Sequence, residues 1–340
     1  KGYGVGTTLP APNSTTVSGY TDCKGNHFEP WTLSNAETSK RKSANLNSGT
    51  WDSINTFYAY LEQRVGLCQA SKMAASFGMK QANGQPLQQV PSQVLGTNNI
   101  DVTHMAAAYA GFAARGQYCT PIAINDVTDA TGKKINVPKA KCGKAVDTGV
   151  ADEVTRILQG VITSGTGRGM SIGRPAAGKT GTCEAHSCAL FAGYTPDLSA
   201  VVWYGDPAAP FGDPSPGVYG SNVGPIWRAS MRGALQGTKA SSFHTPVGDF
   251  GDLGQARVPN VRGLSVQEAT KQIEAAGFTV QVSPRATDSD QRKGTVAYTS
   301  PSAGTKADQD TSVVIFVSNG NGPITTPHKR KRPGGGWPFH

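Results

Sequence analysis

No stretch of this chain approaches the ~20 consecutive apolar residues that a membrane-spanning helix needs. The opening residues, Lys1 to Gly6, also lack the apolar core of a secretory signal. A targeting or anchoring segment, if the protein is exported, is therefore expected outside this chain. The six cysteines include no C-x-x-C pair, which argues against zinc and for disulfides in an oxidising compartment. Apolar residues make up only 37%, while Gly (42) and Pro (22) are plentiful, a mix that excludes a helical bundle and fits globular parts joined by turn-rich segments. Net charge is +9, but Lys329, Arg330, Lys331 and Arg332 form one run that supplies almost half of it. That run reads as a solvated tail, or more sharply as an attraction to an anionic surface. No nucleic-acid-binding fold accompanies it, so nucleic acid is not an expected partner.

Six cysteines permit 15 pairings. Cys183 and Cys188 flank an expected hairpin turn and are paired on that ground. Cys119 with Cys142 then closes a second excursion, which leaves Cys23 with Cys68.

Residues 1–50, rich in Gly, Ser, Thr and Asn, read as loops and short strands. Helical spacing of Phe57, Tyr60, Leu61 and Val65 predicts a helix from Ser53 to Gly66. A second is expected from Asp101 to Arg115, capped by Asp101, and a third from Val150 to Ile162. The period then changes to two. Lys179–Cys183, Cys188–Tyr194 and Ser199–Tyr204 read as successive antiparallel strands, with Pro196 and Asp197 in the second turn. Pro225 is expected to start a helix carrying Trp227, Met231 and Leu235. Helices packed on an antiparallel sheet make an α+β domain, here 1–236. A linker is expected over 237–257. A small αβ unit then spans 258–319, with a strand near Val258, a helix from Ser265 to Ala276 capped by Ser265 with Glu268, and strands Thr279–Val282, Thr295–Ser300 and Ser312–Val317. Residues 320–340 read as a disordered basic tail.

Gly178-Lys179-Thr180-Gly181-Thr182 admits two readings. Gly173 through Thr180 fits G-x-x-x-x-G-K-T, a phosphate-cradling loop that requires a helix directly after Lys-Thr. The alternative is K-T-G on a sheet edge, to be read with Ser53-Ile54-Asn55, an S-x-N at a helix start. Either motif alone is weak; their order, spacing and element types together favour the second.

Longer runs carry that reading further. Asn47 to Phe57, His104 to Ala113, Gly173 to Thr182, Ala192 to Pro196, and Pro225-Ile226-Trp227 resemble class A penicillin-binding proteins of the actinobacterial type over residues 1 to about 236. The resemblance implies a penicillin-binding, serine β-lactamase-like fold: an antiparallel sheet flanked by helices. It implies a peptidoglycan D,D-transpeptidase acting through a serine acyl-enzyme on D-Ala-D-Ala stem peptides and inhibited covalently by β-lactams, with no cofactor and no metal. Catalytic roles fall on Ser53, Asn55 and Lys179; substrate binding falls on Thr180, Gly181 and Thr182. It also implies an extracytoplasmic location and a membrane-anchored full-length protein. Val258-Pro259-Asn260-Val261-Arg262-Gly263, Gly277-Phe278 and Ser300 to Thr305 are similar to a PASTA module, a unit associated with cell-wall peptides or β-lactams.

The family's S-x-x-K, which holds the attacking serine, has one match by spacing, Ser39-Lys40-Arg41-Lys42. It lies too close to Ser53 for that family, in charged surroundings, whereas a lysine acting as a base must be partly desolvated. The nucleophile is therefore expected upstream of Lys1, on the remainder of the same protein, and this chain alone is expected to be inactive. A D,D-carboxypeptidase and an inactive cell-wall scaffold are the alternatives. Cys183, His186 and Cys188 lack a fourth metal ligand, and His104 reads as a packing residue.

Overall fold

A computed structural model describes residues 4–37, 39, 41–206, 219–248, 255–308 and 311–322. Two compact units divide the chain, one spanning Val5–Phe250, the other built on the described residues from Gln255 to Gly322.

The first unit opens with short strands paired at its edge: β1 (Leu9–Pro10) with β4 (Ser43–Ala44), and β2 (Ser14–Val17) with β3 (Trp31–Ser34). Helix α1 (Leu46–Trp51) lies in the stretch expected to be loops and short strands. Its capping box explains it: Asn45 accepts from the Ser48 backbone while Ser48 accepts from that of Asn45, a local device that overrides a composition poor in helix formers. Helix α2 (Asn55–Val65) begins two residues later than expected, because Ser53 sits at φ +54°, in left-handed backbone. Helix α3 (Leu67–Ser76) was not anticipated. Phe57, Leu9, Ala44 and Ile54 form one buried cluster, and Val17, Tyr20, Ala59 and Leu67 another, so α2 is seated on both strand pairs.

Helix α4 (Val102–Ala113) is capped by Asp101, which accepts from His104 N. Strands β5 (Gln117–Cys119) and β8 (Cys142–Lys144) form a ribbon enclosing the hairpin β6 (Val127–Thr128) and β7 (Lys134–Ile135). Helix α5 (Thr148–Thr163) leads to the main sheet, β9 (Ala177–Thr182), β10 (Cys188–Tyr194) and β11 (Ser199–Gly205), antiparallel in the order β11-β10-β9. Alternation along β10 gives the sheet two buried faces. Phe191 packs against Trp227 of helix α6 (Gly220–Ala234), with ring centroids 4.9 Å apart. Tyr194, three residues on, meets Tyr109 of α4 at 6.0 Å and shares a 2.8 Å hydrogen bond with Thr155 of α5. Gly193 lets α6 approach: a Cβ there would come within 2.6 Å of the Trp227 ring.

Helix α6 starts five residues before Pro225, which lies inside it, contrary to expectation. The start is fixed by reciprocal capping between Tyr219 and Asn222 and by Gly220 N donating to Thr182 Oγ1 at 3.1 Å. All three cysteine pairs are as expected: Cys23–Cys68, Cys119–Cys142 and Cys183–Cys188.

In the second unit β12 (Gln255–Arg257) pairs with β15 (Lys306–Asp308), while β13 (Thr279–Val282) runs parallel and β14 (Val296–Ser300) antiparallel to β16 (Ser312–Val317). Helix α7 (Val266–Ala275) is capped by Ser265 with Glu268. It buries Ala269 and Ile273 against Val258, Val261, Phe278, Val296, Val313 and Ile315. Within the span read as a linker, Ser241 donates to Asp197 at 2.6 Å and Phe243 packs on Tyr194, while Ala256 and Arg257 belong to β12. The tail beyond Gly322 lies outside the described residues. Among the described residues no helix is long and apolar enough to cross a membrane.

Glu62 of α2 is 2% exposed, and neither carboxyl oxygen has a hydrogen-bond partner. Burial raises its pKa from the ordinary 4.5 to about 8. Below 4.5 the group is neutral folded and unfolded alike. Between 4.5 and about 8 only the unfolded chain releases the proton, so stability falls by up to ~1.4 kcal/mol per pH unit. Thermal melts of the wild type should therefore drop from pH 5 to pH 8. Glu62→Gln should flatten that slope, and an equal slope in both proteins would contradict the assignment.

Candidate active site

Lys179 and Ser53 are 126 residues apart in sequence, yet Lys179 Nζ donates to Ser53 Oγ at 2.7 Å and to Thr180 O at 2.9 Å. Each side is held by its own scaffold. Lys179 lies in the middle of β9, whose other edge is paired with β10 (Lys179 opposite Ala192). Ser53 occupies the tight turn between α1 and α2, and its left-handed backbone turns the hydroxyl out of the helix start. The first residue of α2 is Asn55, and its N-cap, Ile54, makes no side-chain cap. Ser53 and Asn55 thus do not cap the helix. Asn55 Nδ2 donates to Ser34 O at 3.0 Å, and no hydrogen bond joins it to Lys179 or Ser53.

Lys179 is part-exposed, but its ammonium lies in a protein-lined gap, and loss of hydration lowers its pKa to about 8. No carboxylate pairs with it among the described residues: both of its bonds go to neutral oxygens. The structure thus holds a lysine that is cationic at neutral pH, desolvated and, among the described residues, without a counter-ion.

Three further residues build the frame, and the motifs alone do not reveal them. Thr166 N donates to Trp51 O at 2.9 Å, and Thr166 Oγ1 shares a 2.6 Å hydrogen bond with Thr180 Oγ1. This residue of the Gly-rich loop thus ties the end of α1, two positions before Ser53, to the strand of Lys179. Trp51 is fixed in turn by Nε1 donating to Ile157 O at 2.8 Å. Gly220 approaches β9 backbone to backbone: a Cβ on it would lie 2.7 Å from Gly181 N and O. Thr182 Oγ1 is engaged by Gly220 N, while a Cβ built on Gly181 would meet nothing tighter than Leu190 Cβ at 3.4 Å. The sequence signal for Thr166 was its place in Gly165-Thr166-Gly167; for Gly220 there was none.

The rival readings fail on geometry. After Thr180 the chain continues as strand to Thr182, so the helix that a phosphate-cradling loop requires is absent there. Cys183 and Cys188 are joined to each other and unavailable to a metal. Ser39 accepts from Arg41 N and its own N donates to Asn13, and Lys42 is exposed, as a solvated surface pair would be.

Residues 7–205 match the model of the penicillin binding protein transpeptidase domain. The chain belongs to that family. Residues 256–319 match the PASTA domain, so one PASTA domain follows the transpeptidase domain. Penicillin-binding protein 1A of Mycolicibacterium smegmatis is 33% identical over 209 residues, covering 56% of this chain and 26% of that protein. Its counterpart in Mycobacterium tuberculosis is 32% identical over 208 residues, covering 56% and 25%. The chain therefore spans about a quarter of the length of these two relatives. Among solved structures, the penicillin-binding protein PonA1 from Mycobacterium tuberculosis superposes with a TM-score of 0.62 at 26% identity, over 74% of this chain and 69% of that one. The penicillin-binding, α+β fold expected from sequence is thus the fold of the first unit.

The seat of Trp51 yields a test in which two effects oppose. Replacing a helix-interior glycine by alanine normally stabilises by ~0.5–1 kcal/mol. At Gly160 of α5 the new Cβ would lie 2.1 Å from Trp51 Nε1. Overpacking should win: Gly160→Ala is expected to destabilise by ~1–3 kcal/mol in denaturant titrations, and a stabilised variant would show that Trp51 is not fixed there.

Proposed function

We propose that the first unit supplies the S-x-N and K-T-G side of a serine D,D-transpeptidase site that cross-links peptidoglycan stem peptides at the extracytoplasmic face of the cell. What carries this reading is the unpaired ammonium of Lys179 held 2.7 Å from Ser53 Oγ. An extended peptide ending in a carboxylate supplies the counter-charge that the protein withholds, and the hydroxyls of Thr180 and Thr182 beside it add donors. Penicillin V, present in a PonA1 complex, carries such a carboxylate too.

In this mechanism a serine Oγ attacks the carbonyl carbon of the penultimate D-Ala, its proton passing to an adjacent basic amine. Backbone N–H groups, that of Thr182 among them, receive the developing oxyanion. The C–N bond then breaks as Ser53 Oγ delivers a proton to the departing D-Ala nitrogen. Ser53 regains one from the amine that took the nucleophile's proton, while Lys179 keeps its own charge and orients Ser53 through the hydrogen bond it donates. A neighbouring stem's amine then attacks the ester, loses its proton, and the serine oxygen recovers it. Asn55 has a second amide hydrogen beyond the one given to Ser34, and that donor is assigned to the substrate's amide carbonyl. The attacking serine is assigned to an S-x-x-K segment outside these residues, since Lys42 is exposed and Ser39 bonds only to Asn13 and Arg41 among the described residues.

Fluorescent penicillin tests both parts. A polypeptide carrying these residues behind an S-x-x-K segment should label covalently, and the 340-residue chain alone should not. Label on the chain alone would misplace the nucleophile, and no label on either would leave a scaffold. Lys179→Ala should slow labelling ~100-fold or more. The wild-type rate should fall as pH rises through about 8, because deprotonation removes the charge that holds the carboxylate.

A further inference from the structure

Charge in the first unit is segregated. From Val154 to Cys183, and again from Tyr219 to Gly248, the sequence contains no Asp or Glu. These two stretches meet: the segment following α5 lies along α6, and arginines staple them. Arg228 Nη1 donates to Gly169 O at 2.9 Å, and Arg232 Nη2 reaches Ser171 O at 3.5 Å. Arg174 crosses the other way, to Leu235 O and to Thr238 O and Oγ1 at 3.0–3.1 Å. Arg168 donates to Ser164 O at 3.0 Å. Each of these partners is a neutral oxygen, and none of the four guanidiniums meets a carboxylate among the described residues.

Arg228 and Arg232 are one helical turn apart, a rise of about 6 Å, and Arg174 reaches α6 roughly one turn further on. That spacing is shorter than the ~8 Å screening length at physiological salt, so the charges repel one another. A guanidinium has five N–H donors. Arg228, Arg232 and Arg168 each use one on the protein. Like charges in a row with most donors unspent are a surface made for an anion, and the planar fork suits phosphate oxygens bidentately. Arg232 also lies in the last turn of α6, where a cation suits the helix dipole, but that accounts for one arginine of four.

We propose that this arginine ladder, formed by Arg168, Arg174, Arg228 and Arg232, binds a soluble phosphate-bearing polymer beside the transpeptidase site. The loop that carries Arg168 also carries Thr166, bonded to Thr180 of the K-T-G strand, so the polymer would run along the rim of that site. A membrane surface is the less favoured occupant. The exposed large apolar residue of α6 is Ile226, two positions and thus about 200° round the helix from Arg228, so among the described residues of α6 no apolar anchor lies beside the ladder.

Medium-chain inorganic polyphosphate is the probe, and binding is read by calorimetry at low and at physiological salt. The chain used has Lys329, Arg330, Lys331 and Arg332 changed to Gln, so that the basic run near the C-terminus makes no contribution. Binding should persist without that run. Arg228→Gln with Arg232→Gln should weaken it at least 10-fold and reduce the salt slope by roughly one per arginine. The corresponding lysine pair should restore most of the affinity. Arg168→Gln, whose one bond stays within its own loop, should weaken binding about 3-fold and serves if the double variant fails to fold. Loss of all polyphosphate binding with the C-terminal run, unchanged affinity in the glutamine variants, or ladder-dependent binding to anionic phospholipid vesicles but not to polyphosphate would each overturn the proposal.

Discussion

The candidate site depends on one ammonium held between two neutral oxygens. Lys179 Nζ bonds to Ser53 Oγ and Thr180 O, and among the described residues no acid balances it. Such an arrangement is unfavourable in isolation, since a desolvated charge without a counter-ion opposes folding. It persists because both of its walls are over-determined. On one side, β9 is paired with β10 over its whole length. On the other, Ser53 is trapped in left-handed backbone between two helices, and the first of them is pinned through Trp51 to α5. Strain at Ser53 and desolvation at Lys179 are then two parts of one device: rigid neighbours hold a reactive pair that would otherwise relax apart.

Much of this was legible in the sequence, for reasons that differ by element. The K-T-G strand and the hairpin after it could be read because period-two alternation, Pro196-Asp197 and Cys183/Cys188 all agree locally. Helices α4 and α7 were legible for the same reason: each has a capping side chain ahead of an apolar stripe. What escaped were elements fixed by tertiary contact. Helix α1 has six residues and no apolar stripe; a capping box and the seat of Trp51 against Gly160 make it. The start of α6 is set by a bond to Thr182, far away in sequence, and not by Pro225. Ser53 was placed inside a helix because helical spacing runs up to it, yet spacing is silent about the sign of φ. The partners of Thr166 are likewise distant, so its motif showed a loop but not what the loop ties together.

The second unit shows the same logic at smaller scale. Its core is one cluster, closed by α7 on a three-stranded sheet, and local signals sufficed to find nearly every element. The strand β15 was missed because it is three residues long and gains its identity only by pairing with β12. Helix cap, sheet and core are thus locally consistent, and the unit closes a core of its own.

Burial perturbs two ionisable groups of the first unit. Glu62 is the one acidic residue of α2, and burial pushes it up to about 8; Lys179 faces the start of the same helix, and burial pushes it down to about 8. Desolvation acts on both, but in opposite senses, because it penalises whichever form is charged. At neutral pH the acid is therefore uncharged and the base still cationic. The positive charge at β9 is thus bonded to neutral oxygens alone among the described residues, so that in the proposed reaction a carboxylate arriving from outside meets a full charge.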